Sequence, residues 1–295
     1  GDILQLLKDL EIDENTMVVF TSDNGPSKES YLRGEPYEPT FFQSFGPFDG
    51  IKRDCWEGGL RMPTVARWPG KIPKNHIIET PSISYDWMPT FIEMTGLPVP
   101  ALCDGVSLLP SLVGKGEQKV SHIYVEYFQG GETPEYSNFL PNHQGRKRNQ
   151  MQMLRLGDLV GIRYDIQSQN DDFEIYDVRK DSQQAQNLSK NEDMTEFQQR
   201  LKHLALGSRM SNNTAVRPYD NSYIPAIQNS GMENGVLWKG FDDDFPWLPK
   251  LEYLEASNEG ITGFPNAHFK EDKSDALFYE GYIEIPVDGE YTFYV

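Results

Sequence analysis

Asp23 and Asn24 are the first residues whose types and position could do chemistry. They directly follow residues 17–20, a continuous apolar run rich in β-branched and aromatic side chains, which predicts a strand buried on both faces. Gly25 and Pro26 then end this strand. Because ligands of open α/β sheets bind beyond the carboxyl ends of the strands, these two side chains could offer oxygen ligands to calcium or magnesium. An isolated tripeptide of this kind is also typical of an ordinary turn.

Lys52 carries a compact ammonium group on a flexible stem. Taken alone, a lysine beside Arg53 and Asp54 is typical of a solvated surface. A Gly-Gly pair follows shortly afterwards, flanked by Glu57 and Arg61. We expect this charged pair to brace the loop rather than to take part in chemistry.

Four segments carry a resemblance to a known family through both their letters and their order. They are TSDNGP (21–26), GIK (50–52), WEGGLRMP (56–63) and ARWPG (66–70). Together they resemble the type I sulfatases, the formylglycine-dependent, arylsulfatase-like branch of the alkaline-phosphatase superfamily. The resemblance covers about residues 1–205 and implies the C-terminal part of a sulfuric ester hydrolase. It implies an α/β fold, namely the C-terminal portion of the alkaline-phosphatase-like sheet and a small antiparallel sheet with a helix. A truncated all-β module is expected after it from a separate resemblance, given below.

The resemblance also implies roles for the candidate residues. Asp23 and Asn24 would ligate a calcium ion in the sulfate pocket, and Lys52 would be the active-site lysine that reaches the sulfate oxygens. The family's nucleophile is a formylglycine made from Cys or Ser in a Cys/Ser-x-Pro-x-Arg motif, yet none of the 20 prolines has Cys or Ser two residues before it. We therefore expect the formylglycine and the remaining calcium ligands to lie N-terminal to this region, and this fragment alone to be inactive.

Two other functions stay open on the sequence. Phosphatases and phosphodiesterases of the same superfamily commonly have histidine at the position of Asn24, which builds a zinc site. An amide oxygen is a poor zinc ligand, so Asn24 favours calcium and a sulfate ester. The second alternative is a non-catalytic glycan-binding protein, in which a decayed sulfatase fold and an appended β-module serve adhesion. The presence of Asp23, Asn24 and Lys52 together favours the enzyme.

The composition excludes several classes of partner. The 295 residues include 27 Lys+Arg and 45 Asp+Glu, and the resulting net charge of −18 disfavours binding to nucleic acid. No apolar run reaches the roughly 18 residues that a membrane span needs. Two cysteines do not make a disulfide framework. From the resemblance, we expect a secreted or periplasmic enzyme that acts on sulfated carbohydrate or another sulfate ester.

Residues 130–149, here called the basic loop, are polar and irregular, and they contain His143, Arg146, Lys147 and Arg148. Some sulfatases use this region to contact the non-sulfated part of the substrate. The resemblance therefore makes His143, Arg146 and Arg148 candidates for substrate binding, in line with the tendency of loops to carry function. The alternative is a solvated basic loop on an acidic protein.

The sulfatase-like part is expected to have two domains. Residues 1–120 would form the C-terminal part of the catalytic α/β domain, and residues 121–207 its antiparallel subdomain. Within the subdomain, alternation and helical spacing predict strands at 151–156, 159–165 and 173–177 and a helix at 191–206.

The rest of the chain is expected to be a linker followed by a separate module. Residues 208–231 are rich in Ser, Asn and Pro and predict the linker. Residues 232–295 resemble the start of a protective-antigen-type β-sandwich, with strands at 282–287 and 291–295. Because half a sandwich leaves an uncovered core face, we expect these residues to be poorly ordered or only partly folded.

Overall fold

The computed structural model describes residues 1–28, 37–226, 231–265 and 276–293. The chain divides into two compact units. The first comprises Gly1–Ser84 and Pro110–Ile224, and the second comprises Tyr85–Leu109 and Pro225–Val295. Neither unit coincides with a predicted domain, whose boundaries stay predictions.

The described residues form five α-helices and nine strands, with short 3₁₀ turns between some of them. In chain order, the elements are α1 (Asp2–Asp9), β1 (Val18–Thr21), α2 (Glu57–Leu60), β2 (Thr64–Arg67), α3 (Trp87–Met94), α4 (Leu109–Val113), β3 (Ile123–Glu132), β4 (Lys147–Leu156), β5 (Leu159–Arg163), β6 (Glu174–Asp177), α5 (Thr195–Ser208), β7 (Val236–Phe241), β8 (Asn258–Thr262) and β9 (Ala276–Glu280). The 3₁₀ turns are Asp13–Asn15, Ser84–Asp86, Glu192–Met194 and Leu251–Tyr253. Within the described chain, no helix combines the length and the apolar character that a membrane crossing requires.

β1 forms where the apolar run predicts a strand, but its surroundings differ from the prediction. It pairs antiparallel with β2, from Val18 opposite Arg67 to Thr21 opposite Thr64, and among the described residues it has no second neighbouring strand. The Phe20 side chain is 72% exposed. The expectation of a strand buried on both faces is therefore wrong for this structure. An apolar run predicts an extended backbone, but it carries no information on which elements cover it.

The main core of the first unit surrounds the antiparallel sheet β3-β4-β5-β6. Side chains on its strands alternate between two faces, as strand geometry requires. One face packs on Cys55 and Trp56, and the other packs on α5 through Leu201 and Ala205. At Gly161 the helix approaches so closely that a Cβ atom would lie 2.4 Å from Leu201 Cδ1.

The predicted meander and its helix are confirmed. β4, β5 and β6 overlap the three predicted strands, and α5 overlaps the predicted helix. The helix begins four residues after the predicted start, because residues Glu192–Met194 form a 3₁₀ turn that leads into it.

The predicted linker is bound to the first unit over much of its length. Arg209 Nη1 lies 2.7 Å from Glu126 Oε1, and Tyr219 donates a hydrogen bond from its hydroxyl to Glu126 Oε2 at 2.7 Å. Arg209 also pairs with Asp220, and Arg217 Nε with Glu126. Residues 209–220 are therefore not a free linker, because their charged and aromatic side chains have partners on β3. Residues 227–230 of the predicted linker lie outside the described residues.

The second unit contains the antiparallel sheet β8-β7-β9, with Phe241, Leu251 and Ala276 in its core. The C-terminal region also pairs with residues 98–101. Trp247 donates from Nε1 to the Pro98 carbonyl at 2.9 Å, and Lys250 donates its amide to the Val99 carbonyl at 2.7 Å.

The strand prediction for the end of the chain is wrong where it can be compared. The described residues 281–293 contain no strand, and residues 294–295 lie outside the described residues. Apolar side chains in this segment are exposed, for example Ile283 and Val287. No neighbouring strand among the described residues supplies the cross-strand side-chain contacts that would cover them. The resemblance to a protective-antigen-type module stays a prediction.

Candidate active site

The Asp23 turn, residues 22–26, directly follows β1. Ser22 donates from its hydroxyl to the Asn24 carbonyl at 3.0 Å, and Asn24 donates from Nδ2 to the Gly25 carbonyl at 2.8 Å. Asp23 is exposed and Asn24 is half-buried. With the amide nitrogen of Asn24 engaged, its Oδ1 and the Asp23 carboxylate are side-chain acceptors that the turn offers to a cation.

The Asp23 turn packs directly against the Gly58-Gly59 pair of α2. The Gly25 amide donates to the Gly59 carbonyl at 2.9 Å. A Cβ atom on Gly25 would lie 2.0 Å from the Gly58 carbonyl oxygen, so no side chain fits at this position. Glycine is needed here for the close approach of two backbones.

The lysine loop, residues 49–56, contacts the same turn. The Lys52 amide donates to the Pro26 carbonyl at 2.8 Å, so the structure places the backbone of Lys52 beside the Asp23 turn. The Lys52 side chain is half-buried. Within the described part of the chain, its ammonium group makes no ion pair.

α2 is fixed to the rest of the unit by the buried Glu57. Arg61 donates from Nε to Glu57 Oε2 at 2.8 Å, and Arg155 Nη1 lies 3.5 Å from the same oxygen. The Glu57 amide donates to Gln184 Oε1 at 2.9 Å. These contacts agree with the prediction that Glu57 and Arg61 brace the loop, and their lack of a part in the chemistry stays a prediction.

Asp49 and Trp56, at the two ends of the lysine loop, hold His143 in the core. The His143 ring is fully buried and stacks on Trp56 with centroids 3.9 Å apart. Its Nδ1 lies 2.8 Å from Asp49 Oδ2, which also accepts the Leu140 amide at 2.8 Å. The ring therefore has no exposed surface in this structure, and direct substrate contact by His143 stays a prediction.

The three cations of the basic loop are all paired inside the unit. Arg148 is buried and forms two hydrogen bonds with Asp54, and the half-buried Arg146 pairs with Glu174. Lys147 Nζ lies 2.8 Å from Asp165 Oδ2. Acidic partners therefore already occupy both guanidinium groups, and the expectation that Arg146 and Arg148 bind substrate stays a prediction.

Sequence reasoning missed the carboxylates that organise the site. Asp49 and Asp54 are both fully buried, and each binds a side chain of the basic loop. Asp54 stands in the charged run Lys-Arg-Asp, which is typical of a solvated surface. The sequence contains no signal for its burial, since both of its side-chain partners lie about eighty residues or more away along the chain.

The residues present fit part of a calcium site. Calcium binds 6–8 oxygens in proteins, and Asp23 and Asn24 would supply two of them. Over the described ranges, no group of three or more His, Cys, Asp or Glu residues is placed to hold a metal ion. The donor chemistry of the Asp23 turn therefore suits a hard cation, with further ligands required from elsewhere.

Residues 44–210, more than half of the chain, match the family model described as N-sulphoglucosamine sulphohydrolase, C-terminal. The chain belongs to this sulfatase family. The family confirms the sulfatase resemblance and the α/β fold class that it implies. The matched residues include Lys52 and the basic loop, whereas the Asp23 turn precedes them.

Individual sulfatases are similar to part of this chain. N-acetylgalactosamine-6-sulfatase of Canis lupus familiaris is 40% identical over 116 residues, which cover 39% of this chain and 21% of that protein. Steryl-sulfatase of Homo sapiens is 35% identical over 131 residues, covering 43% and 22%. A solved structure of a protein in complex with its substrate D-glucosamine-2-N,6-O-disulfate is similar to this chain, with a TM-score of 0.48 and 23% identity. The matched region covers 70% of this chain and 37% of the chain in that structure. The matched part of this chain spans about a fifth of the length of each curated relative.

Proposed function

We propose that this chain supplies the calcium-binding turn and the active-site lysine of a sulfuric ester hydrolase. The observation that carries the proposal is the pair of backbone hydrogen bonds that join the Asp23 turn to its neighbours. Gly25 donates to Gly59 at 2.9 Å, and Lys52 donates to Pro26 at 2.8 Å. The Asp23 turn and the backbone of Lys52, whose ammonium has no ion pair among the described residues, thus lie in one small region.

The chemistry of sulfate ester hydrolysis explains the residue types. A divalent cation stabilises the negative charge on the sulfate oxygens as the S–O bond breaks. Asp23 and Asn24 would hold that cation from one side. Lys52 would contribute a second positive charge, and its flexible stem suits oxygens arranged in three dimensions. The nucleophile, a formylglycine in this family, would come from outside these 295 residues, because no Cys/Ser-x-Pro segment is present.

We further propose a secreted or periplasmic enzyme that takes part in the degradation of sulfated glycans. Support comes from the family and from a relative that is named N-acetylgalactosamine-6-sulfatase. A net charge of −18 repels a polyanionic substrate over most of the surface. Contact with such a substrate should therefore be confined to the bound cation, Lys52 and other cations that lack acidic partners.

The test is metal analysis and sulfatase assay of the full protein that contains this chain. We expect bound calcium, turnover of a small aryl sulfate, and loss of both in Asp23→Ala. Asn24→Asp should keep the ion but lower the rate, because the added charge competes with the sulfate. Asp193→Ala is a matched control, since Asp193 is an exposed carboxylate at the start of a helix in the same unit.

Each contrary result points to a different function. Two bound zinc ions with turnover of phosphate esters would replace the sulfatase by a phosphatase or phosphodiesterase. Glycan binding without any turnover would favour a non-catalytic protein. Wild-type activity in both Asp23→Ala and Asn24→Asp would remove the Asp23 turn from the metal site.

A further inference from the structure

The turn that carries Lys52 has an unfavourable backbone conformation. The Asp54 amide donates to the Ile51 carbonyl at 2.9 Å, which closes a four-residue turn with Lys52 and Arg53 at its centre. Arg53 has a φ of +83°, whereas Lys52 has a negative φ. This is the pattern of a type II turn, in which the third position favours glycine. Arginine at that position is strained, because its Cβ crowds the backbone.

The Asp54 carboxylate holds this turn in place. It accepts the Ile51 amide on Oδ2 at 3.0 Å and the Thr133 hydroxyl on Oδ1 at 2.7 Å. Arg148 donates from Nε to Oδ1 at 2.8 Å and from Nη2 to Oδ2 at 3.0 Å. The side chains of Asp54 and Arg148 are 0% and 8% exposed. A two-point contact of this kind fixes orientation as well as distance.

The side-chain partners of Asp54 come from the connection between β3 and β4 and from the adjoining strand. Thr133 directly follows β3, and Arg148 lies in β4. The same connection binds the start of the loop, where Asp49 accepts the Leu140 amide and lies beside His143. The loop is therefore held on both sides of Lys52.

We propose that Arg148, acting through Asp54, is a positioning residue that fixes Lys52 for contact with the anionic substrate. A buried ion pair is weak evidence for stability, since apolar residues often stabilise a protein equally well. Its geometry matters here, because it holds the strained turn that presents the ammonium. A positioned charge stabilises a transition state without rearranging during the reaction. This inference rests on the proposed sulfatase function.

The first test compares Arg148→Met with Arg148→Lys in the full protein that contains this chain. We expect Arg148→Met to lower kcat on a small aryl sulfate by roughly ten- to a hundredfold, with KM changed less than about threefold. Arg148→Lys keeps the charge but not the two-point contact, and it should recover only part of the rate. Arg146→Met is the matched control, since it removes a paired arginine of the same loop that does not touch Asp54.

The second test separates strain from charge. Arg53→Gly and Arg53→Ala both remove the guanidinium group, but only glycine relieves the positive φ. Placed in the Arg148→Met background, Arg53→Gly should raise kcat several-fold above Arg53→Ala. Equal rates for the two double variants, or full activity in Arg148→Met, would overturn the proposal.

A third measurement does not depend on activity. Hydrogen exchange of the Ile51 and Asp54 amides should be faster in Arg148→Met than in the wild type or in Arg146→Met. Exchange should be slower in the double variant that adds Arg53→Gly to Arg148→Met than in Arg148→Met alone. If the wild type lacks sulfatase activity but exchange follows this order, the proposed function fails and the positioning role stands. If the wild type is active and exchange does not change, the positioning role fails. Should Arg148→Met not fold, Thr133→Val removes one contact to Asp54 and must shift kcat and exchange in the same direction.

Discussion

Lys52 and the cations of the basic loop carry the same charge but differ in whether they have acidic partners. Among the described residues, the Lys52 ammonium has no ion pair, whereas Arg146, Lys147 and Arg148 pair with Glu174, Asp165 and Asp54. A cluster of three cations therefore offers little positive charge to a ligand, while a single lysine offers all of its charge. The availability of a cation depends on its neighbours and not on the local number of basic residues.

The acidic composition gives this difference its physical reason. Carboxylates outnumber basic side chains by 45 to 27, so a cation near the surface readily finds an acidic partner. Lys52 lies in a turn whose own carboxylate, Asp54, is already occupied by Arg148 and Thr133. The buried ion pair thus occupies the carboxylate that lies two residues after Lys52 in the chain.

The largest expected effect comes from Lys52→Ala in the full protein. Loss of a charge aimed at developing negative charge should lower kcat about a hundredfold, or about 3 kcal/mol, with little change in Tm. Lys180→Ala is the control, because Lys180 is exposed and already paired with Asp177. A rate for Lys52→Ala equal to that of the control would place Lys52 among ordinary surface lysines.

A smaller effect, on stability rather than rate, is expected for Arg146→Met. It leaves the half-buried Glu174 without its guanidinium partner, which should lower the free energy of unfolding by about 2 kcal/mol. Urea denaturation measures this change, and kcat on both an aryl sulfate and a sulfated oligosaccharide should stay at the wild-type value. A selective loss on the oligosaccharide would return Arg146 to the substrate site.

The arginines that follow α5 should make stability depend on pH. Burial opposes ionisation of Glu126, but hydrogen bonds from Tyr219, Tyr124 and Arg217 and the charge of Arg209 outweigh it, so its pKa lies below the ordinary value of 4.5. A lowered carboxyl pKa stabilises the fold above the unfolded pKa, and this contribution is lost as pH falls through the folded pKa.

Thermal unfolding of the wild type and Glu126→Gln between pH 7 and pH 3 measures this contribution. The difference in Tm should be largest near neutral pH and should shrink below about pH 4.5. A difference that stays constant over the whole range would mean that the Glu126 carboxylate does not hold residues 209–220 through its charge.

The smallest effect is expected for Lys147→Ala. The Lys147–Asp165 pair is largely exposed, and such pairs contribute about 0–1 kcal/mol. Both stability and activity should therefore stay close to wild type, as measured by Tm and by turnover of a sulfated oligosaccharide. A clear loss on the oligosaccharide would show that Lys147 exchanges its acidic partner for substrate.

Local patterns predicted much of the subdomain architecture. The alternation in residues 151–177 gave three strands of the β3-β4-β5-β6 sheet, and helical spacing gave α5 to within a few residues. The predictions failed where a segment's role depends on distant partners. Residues 209–220 have the composition of a linker, but Arg209 and Tyr219 bind Glu126, which is more than eighty residues away.

The sequence by itself determined the family and the candidate residues Asp23, Asn24 and Lys52, because ordered motifs and turn chemistry are local properties of the chain. Only the tertiary structure decided which cations are paired. His143 and Arg148 are buried against Asp49 and Asp54, at sequence separations of 94 residues in both cases. Burial and charge pairing arise from contacts between distant segments, and no spacing in the sequence encodes those contacts.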